Sequence, residues 1–226
     1  MPKQGKRYRA AAAMVDPANA YALEDAVALL AKFPKAKFDE TVELSVHLGI
    51  DPKKADQIVR GALSLPHGIG KELKVVVFAE GAKAEEARNA GALAVGSADL
   101  AEKVLGGWTD FDVAIAAPDM MKHVGKLGKV LGPQGKMPTP KAGTVTTDIG
   151  SAVREFKAGK IEFRNDDGGT VAAPMGKRSF TAEKLRENVK AFLDHLTGMR
   201  PATVKGNFML NASLSSSMSP GVRVKV

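Results

Sequence analysis

The segment KHVGKLGKVLGPQGKMPTPK, residues 122–141, holds four glycines, five lysines and His123 and no acid. That composition suits a loop whose backbone amides wrap a phosphate. A phosphate-binding loop of the GxxxxGK[ST] type also needs a hydroxyl after its lysine, to hold magnesium, and a glycine five residues before its Gly-Lys pair. Gly-Lys pairs begin at Gly5, Gly70, Gly125, Gly128, Gly135, Gly159 and Gly176, and none meets either requirement. The dinucleotide fingerprint fails too: in the pattern begun by Gly68 and Gly70 the third glycine position is Leu73, and the stretch precedes a predicted strand instead of following it. Gly125-Lys126-Leu127-Gly128 has the spacing of the backbone-clamping KH loop, a pattern that recurs by chance.

Other chemistry is thinner. His47, His67, His123 and His195 lie far apart with no H-E-x-x-H spacing, so no metal site is expected. The adjacent acids Asp39-Glu40, Glu85-Glu86 and Asp166-Asp167 read as solvated charge, and the first pair, as neighbours on a strand, points to opposite faces and does not easily act as a dyad. Gly150-Ser151 has no nucleophile elbow around it. The absence of cysteine excludes disulfides, thiolate metal sites and cysteine nucleophiles. No enzyme and no cofactor are expected; the rival reading is a nucleotide-dependent enzyme that uses the middle of the chain.

The serines at 213, 215, 216, 217 and 219 are more unusual. On a strand, Ser213, Ser215 and Ser217 share one face and offer hydroxyls to phosphate or to a ribose 2′-OH, unless the strand simply faces solvent. Net charge is +8, distributed as +2 over residues 1–67, +1 over 68–159 and +5 over 160–226, with Lys37, Arg164, Lys177, Arg178, Arg200 and Lys205 in the outer segments. Hydroxyls on a strand with scattered cations suit structured RNA better than duplex DNA, whose groove readers usually place a helix.

The elements that must position these residues follow from periodicity. Leu23, Ala26, Val27 and Leu30 predict an amphipathic helix ending before Pro34, after a basic opening tail. In residues 38–49 the apolar Phe38, Val42, Leu44, Val46 and Leu48 alternate with polar neighbours apart from one slip, predicting a half-buried strand, and IVRGALSLP predicts another. From about residue 68 short apolar strands, KVVVFA, LAVG and DVAIAAP, alternate with helices, the rhythm of a parallel sheet covered on both faces. After residue 160 the pattern of the chain's opening third returns: strands in KIEFRND and TVAAPM, a helix starting near Ser179, and strands in NFMLNASLSSSM and VRVKV.

The fold class expected is α/β: an α+β domain I, residues 1–67 plus 160–226, with an inserted Rossmann-like α/β domain II, residues 68–159. Insertion is tolerated where the chain leaves and returns at one surface place. Gly68, Gly70 and Gly159 then form a double-linker hinge; three consecutive domains is the alternative. The apolar stretch of the opening is about five residues, short of a signal peptide, and no run approaches the roughly 18 residues of a membrane span. A soluble, unexported, cytoplasmic protein is expected.

The stretches MPKQGKRYRA, KFDETVELSVHLGIDPKKADQIVRG, SLPHGIGK, LGPQGKMPTPKAGTV, FKAGKIEFRND and SMSPGVRV, in that order, resemble the bacterial large-ribosomal-subunit protein L-one family essentially end to end. The resemblance implies a protein that binds large-subunit rRNA to form the mobile stalk near the exit site, assists movement and release of deacylated tRNA, and represses its own operon mRNA. It implies a monomer within the ribosome and no membrane partner; a free regulatory RNA binder is the other RNA reading. Family contacts carry over to Lys37, Phe38, Glu40 and Thr41, and to Ser213, Ser217, Met218 and Ser219, with Arg164 and Asp166 near the same face. Phe38 and Met218 would pack on ribose or base faces, although Phe38 also fits a core position. Lys126, Lys129, Lys136 and Lys141 are expected on an exposed, mobile loop as an auxiliary basic contact to RNA or tRNA. One departure stands out: the family's Met-Gly-Pro-Ser is here Met218-Ser219-Pro220-Gly221, so either Gly221 takes over part of the glycine's role or the contact is looser.

Overall fold

The structure, a computed structural model, describes residues 4–225; Met1 to Lys3 of the basic opening and the final Val226 lie outside the described residues. The chain begins with α1 (Lys6–Ala12) and α2 (Leu23–Lys32), then β1 (Thr41–Leu48) and β2 (Arg60–Ser64). There follow β3 (Val75–Phe78), α3 (Ala82–Asn89), β4 (Ala94–Gly96), α4 (Ala98–Leu105) and β5 (Val113–Ala116). Two short helices, α5 (Met121–Val124) and α6 (Gly128–Leu131), precede α7 (Ile149–Ala158). The chain closes with β6 (Lys160–Arg164), β7 (Thr170–Lys177), α8 (Ala182–Gly198), β8 (Met209–Ser216) and β9 (Val222–Val224). These elements fall into two compact units, one within Met1–Gly70 and Ile161–Val226, the other Lys71–Lys160.

The first unit is built on an antiparallel sheet of order β7-β1-β8-β9. Along β1, Val42, Leu44, Val46 and Leu48 are buried while Thr41, Glu43, Ser45 and His47 face outward, the period-two pattern of a sheet with one wet face. Helix α8 supplies Leu185, Val189, Phe192 and Leu196, spaced four, three and four residues apart so that they form one buried stripe. Thr181 caps it, its hydroxyl accepting from Lys184 N at 3.4 Å. Asn188, fully buried on that helix, donates to the Gly68 and Met175 carbonyls at 3.0 and 2.8 Å and accepts from His67 N at 3.1 Å, so its burial leaves no polar group unmet. The opening tail contains a helix that its charge concealed: KRYRAAA forms α1, and its run of alanine favours that state.

The second unit is a parallel sheet of order β4-β3-β5. Central β3 is buried throughout: Val76 and Phe78 join Val104, Phe111 and Leu127 in one core, while Val75 and Val77 join Ile115, Val153 and Phe156 in the other. That is why its four residues run apolar without alternation. Helix α7 starts at Asp148, whose carboxylate accepts from Ser151 N at 3.0 Å.

Asp112, just before β5, ties the start of the sheet together by accepting from Lys71 Nζ at 2.8 Å and Lys74 N at 3.0 Å. Burial pushes its pKa up, but the hydrogen bonds from Lys71 and Lys74 and the Lys71 charge more than reverse this and leave it below the ordinary 3.8. A depressed carboxylate pKa contributes stability that is fully present above 3.8 and is lost as pH falls through the folded value. Asp112→Asn is therefore expected to cost about 1 kcal/mol at pH 7. Thermal unfolding of both proteins should show the difference closing as the pH falls below 3.8; an undiminished difference in acid would remove the carboxylate as its source.

Candidate nucleic-acid interface

The wet face of the four-stranded sheet is laid out by its register. His47 lies between Thr170 on β7 and Asn211 on β8; Ser45 between Ala172 and Ser213, with Arg223 of β9 beyond; Glu43 between Pro174 and Ser215. Buried Ala212, Leu214 and Ser216 alternate with half-exposed Ser213 and Ser215, so these two hydroxyls share the outer face. Ser217 follows just past the strand end. Its amide donates to Thr41 O at 3.0 Å and its hydroxyl accepts from Thr41 N at 3.1 Å. Lys177 Nζ donates to Thr41 Oγ1 at 2.8 Å, bringing a cation to the same edge.

Two loops meet this edge of the sheet. Exposed Lys37 and Phe38 lead into β1, and Met218 follows Ser217 out of β8. Phe38 is 56% exposed and Met218 51% exposed, so two large apolar side chains flank a strand end that carries hydroxyls and Lys177, with the carboxylates of Asp39 and Glu43 also exposed nearby. Apolar groups of that size on a polar rim are what a sugar or base face packs upon. The predicted strand over residues 38–49 starts only at Thr41, and Phe38 is outside the core.

Glu40 lies elsewhere than an RNA-facing residue would. It is 2% exposed and turned inward, accepting from Ala36 N at 3.0 Å, from Ser216 Oγ at 2.5 Å and from Arg178 Nη1 at 3.4 Å. The physical reason is phase: position 40 is on the core side of the β1 alternation, and Arg178 supplies the countercharge that permits a carboxylate there. Glu40 supports the surface and does not belong to it. Ser219 is half-buried, its hydroxyl accepting from Ser216 N at 2.9 Å while its own amide donates to Ser216 O at 3.0 Å. The side chain that stands where the resemblance expects glycine is thus folded into its own turn. At Gly221 a Cβ would stand 3.8 Å from Ser213 Cβ, an ordinary contact, so internal packing does not demand glycine there.

Arg164 is exposed at the end of β6. Asp166 builds the turn between β6 and β7, its Oδ1 accepting from Gly168 N at 2.9 Å and Thr170 N at 2.7 Å. That turn delivers Thr170 to its place beside His47. Ser45, His47, Thr170, Asn211 and Arg223 share the face without having stood out in sequence. Outward alternation along β1 and β8 could have nominated Ser45, His47 and Asn211, but the cross-strand register that unites them is a tertiary property.

The basic segment in the second unit is not a loop throughout. Residues 121–131 form helical turns that bury Val124, Leu127 and Leu131 completely, and Gly125 and Gly128 have helical φ of −55° and −54°, which removes the KH-like clamp. A Cβ at Gly132 would collide with the Gly128 carbonyl, which fixes glycine where the chain leaves α6. Lys126, Lys129 and Lys141 are exposed, whereas Lys136 is half-buried, donates to Thr109 O at 2.9 Å and lies 5.2 Å from the Phe111 ring centre. Gly68, Gly70 and Gly159 all have left-handed φ, of 62°, 71° and 110°. At Gly70 a Cβ would also stand 2.8 Å from the Phe180 ring. Among the described residues no group of three or more His, Asp or Glu is placed to hold a metal ion, and no helix is long and apolar enough to cross a membrane.

The chain is thus an α/β protein with one half-wet antiparallel sheet and one small parallel sheet, and it presents hydroxyls, cations and two exposed apolar side chains where β1 begins and β8 ends. Residues 30–220 match the Ribosomal protein L1p/L10e family, and the chain belongs to that family. It is 52% identical over 224 residues to the large ribosomal subunit protein uL1 of Kosmotoga olearia, covering 99% of this chain and 97% of that protein. It is 53% identical over 224 residues to large ribosomal subunit protein uL1 of Protochlamydia amoebophila, covering 99% of this chain and 95% of the relative.

Proposed function

We propose that the protein is a non-enzymatic constituent of the large ribosomal subunit that grips large-subunit rRNA at the edge of its four-stranded sheet. The observation that carries the proposal is the exposure of Phe38 and Met218 on either side of the Thr41–Ser217 hydrogen bonds. Hydroxyls there address phosphate and 2′-OH groups, the two apolar side chains pack on sugar or base, and Lys37 and Lys177 add charge, with Arg223 further along the face and Arg164 beyond the opposite, His47, end of β1. The finer roles form part of the same reading: shaping the stalk near the exit site, helping deacylated tRNA move and leave, and repressing its own operon through a similar mRNA fold. In this reading the first unit is the RNA-binding domain I and the second is the inserted domain II. Gly68, Gly70 and Gly159 form the hinge at the two chain joints, and Lys126, Lys129 and Lys141 form an auxiliary contact. The relatives' names support the large-subunit part of this reading.

Electrophoretic binding of the full chain to an rRNA stalk fragment, its mRNA leader and an unrelated RNA, across a salt series, tests the proposal. The stalk and leader should bind well above the unrelated RNA, with log affinity falling linearly with log salt. Equal binding to all three RNAs, or to none, would overturn it.

A further inference from the structure

We infer that Arg178 is a positioning residue for RNA binding: without reaching RNA itself, it holds the Phe38 loop and the Met218 turn in the one mutual arrangement that a ligand can span. The inference rests on the reading that RNA is held at this edge of the sheet. Arg178 follows β7, and its side chain is 9% exposed. Its guanidinium gathers carbonyls at the end of α2 and just past it: Nη2 donates to Phe33 O and, at 3.4 Å, to Ala31 O, while Nη1 donates to Pro34 O at 3.4 Å. A cation there meets the negative end of the helix dipole.

The same Nη1 lies 3.4 Å from Glu40 Oε2, and Arg178 N donates to Glu40 O at 2.8 Å. From Glu40 the chain of bonds divides. One carboxylate oxygen accepts from Ala36 N and closes the loop that carries Lys37 and Phe38. The other accepts from Ser216 Oγ, two residues before Met218, and the backbone of Ser216 is in turn bonded to Ser219. Both apolar anchors are thereby referred to one buried carboxylate, and that carboxylate to one buried guanidinium. Without Arg178, Glu40 would keep its hydrogen bonds from Ala36 N and Ser216 Oγ but lose its buried countercharge, and a carboxylate so placed is drawn toward water, which loosens the Phe38 loop from the Met218 turn. A surface ordered before binding spares the complex that ordering cost, so loosening it weakens affinity although every group that touches RNA is still present.

Burial separates this role from a phosphate contact, and salt dependence reads the difference. In the full chain, Arg178→Met should weaken binding to the stalk fragment at least tenfold and Ser216→Ala severalfold, while Arg178→Lys recovers part of the loss. The slope of log affinity against log salt should stay at the wild-type value in all three. A core control, Leu196→Ala, should lower the melting temperature yet bind normally at temperatures where it is folded. Wild-type affinity in Arg178→Met, or in Ser216→Ala should the first variant not fold, would overturn the inference. So would a slope shallower by about 0.7–0.9, the signature of one phosphate no longer neutralised. Failure of the wild-type protein to bind the stalk RNA would instead sink the underlying reading.

Discussion

Replacing Phe38 and Met218 together with alanine is expected to weaken binding to the rRNA stalk fragment by about a hundredfold, at a stacking worth of roughly 1–3 kcal/mol per base. Both side chains are more than half exposed, so truncation removes little from the core. The Thr41–Ser217 bonds and the Glu40 network are made by other groups and persist. Melting temperature should therefore move by no more than about 2 °C, since surface changes of this kind fall within roughly 0.5 kcal/mol. Because neither residue carries charge, the salt slope should also stay constant while affinity falls. Fluorescence anisotropy at three salt concentrations reads both quantities; normal affinity in the double variant would show that the RNA lies elsewhere.

The other large effect is on stability. Phe192→Ala should cost about 3–5 kcal/mol and lower the melting temperature by about 10 °C. Phe192 is fully buried on α8, and its ring meets Phe163 edge-on with centroids 5.1 Å apart. Phe163 in turn stands 5.9 Å from the His195 ring and bounds the space above Gly61, where a Cβ would lie 3.2 Å from its Cζ. Neighbours so closely engaged cannot collapse far into the void, so the cavity term adds to the lost transfer energy. Calorimetric unfolding checks the size. A loss below about 1 kcal/mol would mean that the site relaxes as a loosely packed one does.

Much of the architecture is written in short-range pattern. Val42, Leu44, Val46 and Leu48 predict β1, the unbroken Val75–Phe78 run predicts a strand buried on both faces, and Leu185, Val189, Phe192 and Leu196 mark α8. Other elements were hidden by conflicting local signals. Charge masked α1; the stretch DMMKHVGKLG after the third strand of the middle segment reads as helical, but its glycines and lysines also fit an exposed basic loop, and burial of Val124, Leu127 and Leu131 decides for helical turns. The outward hydroxyls of β8 follow from a period of two. Their neighbours across the sheet do not, because register depends on which strands meet.

The sequence by itself determined the alternation of faces, the change of pattern near residues 68 and 160, and the family, since these depend on residues close in the chain or on ordered motifs along it. Only the tertiary structure decided that Phe38 stays outside, that Ser219 folds into its own turn, and that Glu40 is withdrawn from the surface. Glu40 and Arg178 are 138 residues apart in the chain, and a carboxylate enters a core only together with a partner charge. That partner is invisible to any local pattern, because burial and pairing are created together when β1, β7 and β8 assemble.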